Sequence, residues 1–182
     1  MKLSERFIDL FNRVATGSFQ TRKLLTPVGA AVFISFVALT ITLSILTDRF
    51  VRFPELLPHP FNIIISAPVI STGLFFTIWS MAHFLKVKGT PVPFNPPPTL
   101  VTSGPYAHVR NPMLSGIFLL LFGLGILGGS ISLVFIYTPL FILLNIIELR
   151  AVEEPELEKR FGERYVIYRK RVPMFFPRAG KH

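Results

Sequence analysis

Three long stretches of the chain are almost free of charge, and each is rich in Val, Ile, Leu and Phe. Residues 27–47 contain no charged side chain, residues 61–85 contain only His83, and residues 112–147 contain no Asp, Glu, Lys, Arg or His. A helix needs about 20 apolar residues to cross the roughly 30 Å hydrocarbon core of a bilayer. Each of the first two stretches therefore predicts one membrane helix.

The third stretch is too long for one helix and is interrupted near its middle by Gly128, Gly129 and Ser130. It predicts two helices, 112–128 and 131–147, joined by a tight turn. Each would be about 26 Å long at 1.5 Å per residue, which is short for a full crossing. The pattern as a whole predicts an all-α fold, a polytopic membrane helical bundle of four membrane helices whose last two form a hairpin.

Amphipathic patterns flank the apolar stretches. Before the first span, apolar residues recur at helical spacing among Lys2, Arg6 and Arg13, which is typical of a helix lying on the membrane interface. After the last span, residues 148–177 carry a second apolar face opposed by Glu, Lys and Arg. This segment predicts a cytosolic C-terminal helix.

The distribution of charge predicts the orientation. The chain has 19 Lys and Arg against 10 Asp and Glu, a net charge of +9, with a mean hydropathy of +0.55. All the basic residues except Arg49 and Arg52 lie in the termini or in the 86–111 loop. The positive-inside rule then places both termini and this loop in the cytoplasm. We expect a multi-pass integral membrane protein, in the inner or plasma membrane of a prokaryote or the endoplasmic reticulum of a eukaryote.

The same distribution accounts for the basic charge without a nucleic acid partner. The chain has no cysteine, which excludes disulfides, thiolate zinc sites, iron–sulfur clusters and a nucleophilic thiol. No other metal-ligand pattern stands out, so we expect no metal.

The loop between the second and third spans is a candidate binding element. Seven prolines between residues 86 and 112 make it extended and stiff. Tyr106, His108, Arg110 and Asn111 stand next to a predicted helix N-terminus, where backbone amides and the helix dipole favour a carboxylate. The alternative is a stiff spacer without chemistry.

Glu153 and Glu154 are the second candidate. They follow the last span directly, precede Pro155 and so lie at the membrane–water boundary. Carboxylates in that position can hold a cationic ligand or an amine. The alternative is a solvated helix face with i,i+4 ion pairs, like the other glutamates of this segment.

The order of these elements resembles the integral-membrane methyltransferases of the isoprenylcysteine carboxyl methyltransferase and phospholipid methyltransferase group. The resemblance covers roughly residues 86–178. It rests on Gly104-Pro105-Tyr106-Ala107-His108-Val109-Arg110-Asn111-Pro112-Met113, Gly116, the glycine-rich hairpin, Glu153-Glu154, Leu157, Phe161-Gly162, Tyr165, Tyr168, Pro173 and Pro177. Two positions depart from the family pattern: Asn111 replaces a histidine and Leu114 a tyrosine. Because asparagine cannot titrate near neutrality, a histidine base at this position is ruled out for this chain.

The resemblance implies methyl transfer from S-adenosylmethionine to a lipophilic or lipid acceptor at the cytoplasmic membrane face. It implies a single membrane domain, with residues 1–26 as the interfacial segment, 27–85 as two spans and 86–182 as the cofactor-binding core. The implied cofactor-binding residues are Tyr106, His108, Val109, Arg110, Asn111, Pro112, Met113, Glu153 and Glu154. Of these, Arg110, Glu153 and Glu154 are implied to be catalytic.

Two other functions are compatible with the sequence. A reductase related to sterol reductases would bind a nicotinamide cofactor, and a non-catalytic membrane protein would keep the scaffold as a binding module. The sequence leaves the acceptor open among a prenylcysteine, a phosphoethanolamine lipid, an isoprenoid and a small lipophile. The expected partners are the lipid substrate and membrane lipids, with the oligomeric state open.

Overall fold

A computed structural model describes residues 19–86 and 99–177, with side chains from residue 26 onward. Most of the predicted interfacial segment and residues 87–98 of the proline-rich loop lie outside these ranges. The described residues form six α-helices and no strand. The helices are α1 (Phe19–Val51), α2 (Phe61–Lys86), α3 (Pro112–Leu127), α4 (Thr138–Glu148), α5 (Glu154–Phe161) and α6 (Glu163–Arg171). The all-α prediction is thereby confirmed for this part of the chain.

Three helical segments are long and apolar enough to cross a membrane: Thr26–Val51, Phe61–Lys86 and Leu133–Phe161. Helix α3 has 16 residues and is shorter than these three. At 1.5 Å per residue it is about 24 Å long. The predicted hairpin is present, because a tight turn at 128–130 joins α3 to the next helical segment. Whether α3 completes a fourth crossing remains a prediction.

The last apolar segment continues well beyond its predicted end at residue 147. Helices α4 and α5 and two π-helical turns, Leu133–Tyr137 and Leu149–Glu153, form one continuous rod, Leu133–Phe161, here called the C-terminal rod. Each π turn ends two residues before a proline, Pro139 or Pro155. Proline lacks an N–H and clashes with the carbonyl four residues earlier in a regular α-helix. A wider turn at this place provides a local adjustment that lets the helix continue through the proline.

Helices α2 and α3 form the most extensive helix pair of the described chain, and small residues line their contact. Ser66, Gly73 and Ser80 are buried at seven-residue spacing on α2. A Cβ atom on Gly116 of α3 would lie 2.7 Å from the carbonyl oxygen of Gly73 and in collision with the hydroxyl of Thr77. Small residues let membrane helices approach closely, so the glycines of α3 at this contact serve packing.

Helix α1 is fastened to the rest of the bundle near its C-terminal end. The Asp48 carboxylate accepts hydrogen bonds from the hydroxyl of Ser130 and from the amide of Ser132, the latter at 3.1 Å. Ser130 in turn accepts from the amide of Leu133, and the Thr47 hydroxyl lies 2.7 Å from that of Tyr137. These bonds satisfy the free amides at the start of the C-terminal rod and place a negative charge at a helix N-terminus.

An aromatic cluster fills the interior between α1, α3 and the C-terminal rod. The Phe141 ring stacks on Phe36 at 4.8 Å and meets Phe118 edge to face at 6.0 Å. Phe118 in turn packs against Phe175 at 5.0 Å, which anchors the chain end beyond α6. Large aromatic side chains contribute the most buried area per residue, so this cluster is the main core of the molecule.

Candidate active site

A cavity of about 250 Å³ opens at the end of the bundle where α1 and α3 begin and α2 and the C-terminal rod end. Residues predicted from the sequence supply part of its wall: Tyr106, Arg110, Asn111, Met113, Glu153 and Glu154. Other wall residues come from each neighbouring element, among them Phe33, Phe84, Asn145, Glu148, Glu156 and Arg160. The proline-rich loop and the paired glutamates, separated by more than 40 residues of sequence, therefore meet at one cavity.

Arg110 is held by protein groups on two sides of its guanidinium. One terminal nitrogen donates to the Glu154 carboxylate at 2.5 Å. The other donates to the backbone carbonyls of Arg169 and Val172, at 2.8 and 2.9 Å. A planar guanidinium suits such a divided set of acceptors, which a lysine cannot reproduce. Arg110 thus ties the start of α3, the C-terminal rod and the end of α6 together.

The segment after α6 is bound along the start of α3 by backbone hydrogen bonds. The amides of Arg110 and Asn111 donate to the carbonyls of Pro173 and Met174, at 2.8 and 3.1 Å. The Ser115 hydroxyl donates to the carbonyl of Phe175 at 3.0 Å. The amides of Arg110 and Asn111 are thus already occupied by the protein's own chain.

The two adjacent glutamates have different surroundings. Glu154 is paired with Arg110 and lies 3.8 Å from Arg169. Glu153 lines the cavity, and within the described residues no hydrogen bond or ion pair holds its carboxylate. Adjacent residues on a helix point about 100° apart, which allows one carboxylate to bind the scaffold while its neighbour faces the cavity.

Two further charged residues of the cavity wall are incompletely satisfied. Glu156 is buried and forms an ion pair with Arg160 at 3.4 Å, whose geometry does not meet that of a hydrogen bond. The buried Oε1 of Glu156 and Nε of Arg160 have no hydrogen-bond partner among the described residues. Both atoms face each other in this ion pair, and the buried Nε of Arg110 likewise has no hydrogen-bond partner, so the charged groups of the wall are not fully hydrogen-bonded within the described residues.

The wall is completed by tyrosines that the chain holds in place from the loop and from α6. Gly162, with a φ of 59°, turns the chain between α5 and α6 and directs α6 back over the cavity. The Tyr168 hydroxyl donates to the carbonyl of Tyr106 at 2.7 Å. Burial raises the pKa of Tyr106, Tyr165 and Tyr168 above the ordinary range. These phenols stay protonated and uncharged at neutral pH.

Three of the predicted cofactor-binding residues lie off the cavity wall. His108 is exposed, whereas Val109 and Pro112 are buried in the packing behind the wall. The Nε2 atom of His83 lies 3.0 Å from the Ser103 hydroxyl, and the His83 ring lies against Gly104. The structure thus brings together Tyr106, Arg110, Asn111, Met113, Glu153 and Glu154, and leaves His108, Val109 and Pro112 outside the wall.

Sequence reasoning missed Glu148, Glu156 and Arg160 as wall residues. They share one face of the C-terminal rod with Asn145, Leu149, Val152 and Glu153. A helical projection from 145 to 160 would have exposed this polar face, but only if one continuous helix is drawn through Pro155. The apparent end of the apolar stretch at 147 hides the pattern.

An all-helical membrane protein with a carboxylate-lined cavity at one end of its spans is the class that the fold and the site define. The chain belongs to the phospholipid methyltransferase family, whose family model matches residues 61–164. The match extends from α2 into α6 and leaves out α1. No curated protein and no solved structure gives a significant match. The resemblance of the 86–178 segment to membrane methyltransferases is thereby confirmed.

Proposed function

We propose that the protein transfers a methyl group from S-adenosylmethionine to a lipid acceptor, with the reaction taking place in the described cavity. Family membership makes it a membrane methyltransferase that acts on lipid. The observation that carries the rest is the unpartnered Glu153 carboxylate in a cavity at the end of the membrane helices. A polar cofactor can enter such a cavity from water, and a lipid can reach it from the bilayer.

The wall residues fit this cofactor by their chemistry. S-adenosylmethionine carries a sulfonium and an ammonium, and Glu148 and Glu153 supply carboxylates for positive charge. Tyr106, Phe84 and Tyr165 supply aromatic surface suited to a flat base or a cationic sulfur. Asn111 and Arg160 supply donors for the carboxylate of the cofactor. When bound, the cofactor supplies a methyl group on a positively charged sulfur, which is a good leaving group.

The protein itself has to orient the reactants, exclude water and, for an amine acceptor, accept one proton. Positioning alone accounts for a large part of the rate of such a displacement. Arg110 and Glu154 fix the wall by joining three segments, while Glu153 faces the reacting space. If the acceptor is an amine, Glu153 accepts the proton that the amine releases, because Asn111 cannot. A carboxylate acceptor releases no proton and needs no base.

The surroundings of the cavity support the cytoplasmic orientation proposed from the charge pattern. Arg164, Lys170 and Arg171 are exposed on α6 next to the cavity mouth. The opposite end of the bundle has Arg49 and Arg52 balanced by Asp48 and Glu55. We therefore place the cavity at the cytoplasmic face, where S-adenosylmethionine is available.

The experiment is methyl transfer by the purified full chain in lipid nanodiscs, with S-adenosylmethionine labelled in its methyl group and a total lipid extract as acceptor. Label should appear in an extractable lipid, which mass spectrometry identifies. Glu153→Gln keeps the size and removes the ionisable carboxyl group, and it should lower the rate by about a hundredfold or more. The matched control is Glu163→Gln, an exposed glutamate of α6, which should leave the rate unchanged.

Equilibrium dialysis with labelled S-adenosylmethionine and with NADPH separates the alternatives. Binding of the first and not of the second supports the methyltransferase, and the reverse result supports a reductase. Binding of neither, together with no labelled lipid, would reduce the chain to a non-catalytic member of the family. Equal activity of Glu153→Gln and Glu163→Gln would remove Glu153 from the mechanism.

A further inference from the structure

A second, wholly apolar groove lies between α1 and α3. Its volume is also about 250 Å³, and every residue that lines it is Phe, Ile, Val or Leu. Phe33, Ile34 and Val37 form one wall, and Ile117, Leu120 and Leu124 form the other. It has no group that could bind a polar ligand, so its occupant must be hydrocarbon.

The groove continues from the active-site cavity. Phe33 lines both spaces, and on α3 the wall passes from Leu114 in the cavity to Ile117 in the groove within one helical turn. The surface that α1 and α3 share is therefore polar at the cavity and wholly apolar along the groove. A ligand with a polar head and an apolar chain matches that change.

At its far end α1 is fastened to the start of the C-terminal rod by hydrogen bonds of residues 44–48, and these bonds do not draw it onto α3. The backbones of α1 and α3 barely approach each other in the described chain, in contrast to the close pair formed by α2 and α3. Nearer the cavity, α1 rests on the C-terminal rod through large rings, Phe33 and Phe36 against Phe141. These rings hold α1 away from α3 and keep the groove open to the side.

The cavity and the groove together match the depth of one leaflet of a bilayer. From Met113 in the cavity wall to Leu124 at the end of the groove, α3 rises about 16 Å. Half of the hydrocarbon core is about 15 Å. A chain lying in the groove would therefore run parallel to the lipids of the leaflet next to the cavity.

We propose that this groove binds one hydrocarbon chain of the lipid acceptor and thereby sets the position of its head group in the cavity. The proposal rests on the proposed function, because it assigns the groove to the same acceptor. It adds a chain-length preference and names the residues that determine it. The groove selects acceptors by the chain next to the head group, whatever the reactive group is.

The first test measures methyl transfer to a series of lysophosphatidylethanolamines of increasing chain length, used below the concentration at which they form micelles. In the wild-type protein each added methylene should raise kcat/KM by up to about fourfold, which corresponds to about 0.8 kcal/mol per buried CH₂. Leu124→Trp fills the far end of the groove, so the gain should stop at a shorter chain. Val37→Phe, on the opposite wall, should have the same effect.

Matched controls lie on the same helices outside the groove. Leu127→Trp on α3 and Val32→Phe on α1 make the same changes at exposed positions that line neither space. Both should keep the chain-length profile of the wild type. If Leu124→Trp and Val37→Phe leave the chain-length profile unchanged, the groove does not bind the acceptor chain. The proposed methyl transfer would be unaffected by that result.

The second test does not depend on methyl transfer. A lysophosphatidylethanolamine with a photoreactive group at the end of its chain is bound to the wild-type protein and irradiated. Crosslinks mapped by mass spectrometry should concentrate on residues 33–37 and 117–124, and unlabelled long-chain lipid should suppress them. Crosslinks spread evenly over lipid-facing residues such as Ile64 and Ile78 would overturn the proposal. If no lipid is methylated but the crosslinks concentrate as expected, the proposed function fails and the groove remains as a lipid site.

Discussion

The sequence position of Arg110 and its contacts in the structure indicate two different roles. It stands two residues before a helix, where an arginine is well placed to meet a ligand carboxylate. In the folded chain its terminal nitrogens donate to Glu154 and to two backbone carbonyls. These contacts favour a positioning role for Arg110, and the buried Nε atoms of Arg110 and Arg160 both lack a hydrogen-bond partner among the described residues.

Removing Arg110 should therefore loosen the protein rather than only weaken ligand binding. Arg110→Ala leaves the Glu154 carboxylate and two carbonyls without a donor, and breaking such a largely buried pair costs about 3–5 kcal/mol. Arg110→Lys should be only partly better, because one ammonium cannot reach all three acceptors. Limited proteolysis should show faster cleavage after residue 172, together with a lower unfolding temperature of the purified protein.

Arg164→Ala is the control, since Arg164 is an exposed arginine of α6. Its cleavage rate and unfolding temperature should stay at the wild-type values. The opposite pattern for Arg110→Ala, normal stability with lost affinity for S-adenosylmethionine, would assign the side chain to the ligand.

The two glutamates show what a sequence can and cannot distinguish at this scale. Residue type and the position next to Pro155 mark both Glu153 and Glu154 as candidates. Which of them is paired depends on Arg110, which is far away in sequence and reaches the rod only after the hairpin closes. Such long-range pairing leaves no trace in local spacing.

At the scale of helices, the sequence predicts the spans well and the interruptions poorly. The apolar stretches 27–47 and 61–85 lie within α1 and α2, because a bilayer tolerates little besides apolar residues on a helix. The last span is predicted to end at 147, but the helix continues through this point, because a π turn before Pro155 lets the C-terminal rod extend to Phe161. Loss of hydrophobicity marks the end of the membrane, and a helix can continue beyond it.

The close packing of α2 on α3 gives a prediction at this scale. Gly116→Ala would place a methyl group 2.7 Å from the Gly73 carbonyl oxygen and against Thr77. Because the contact is with the helical backbone of α2, which cannot shift easily, we expect a loss of about 1–3 kcal/mol in the free energy of unfolding. Unfolding in detergent, followed by the fluorescence of Trp79, measures it.

Gly128→Ala is the matched control on the same helix hairpin. A Cβ there meets only the Leu124 carbonyl oxygen, at 3.3 Å, and the residue's φ of −83° suits any side chain. Its effect should be below about 0.5 kcal/mol. Equal effects of the two substitutions would show that α2 and α3 do not depend on their close approach.

For the whole molecule, the number of crossings decides where the two termini lie. Three segments are long enough to cross a membrane, and α3 is shorter than these. Helix length alone therefore does not decide between three and four crossings. Four crossings place both termini on one side, whereas three would separate them. The distribution of Lys and Arg favours four.

Because the chain lacks cysteine, single cysteines report topology directly. Gly17→Cys and Gly180→Cys should react with a membrane-impermeant maleimide only when the reagent can reach the cytoplasmic side of the membrane. His59→Cys, in the loop between α1 and α2, should react from the other side and serves as the internal reference. Labelling of residues 17 and 180 from opposite sides would rule out the four-crossing arrangement.

The π turn at Leu149–Glu153 has a consequence for how this protein can diverge. A turn of this kind contains one residue more than the regular turn it replaces. Gain or loss of a single residue there rotates everything that follows by about 100°. Glu153, Leu157 and Arg160 would leave the cavity wall together, and α6 would swing away from Tyr106. Within the C-terminal rod the count of residues is therefore as constrained as their identity.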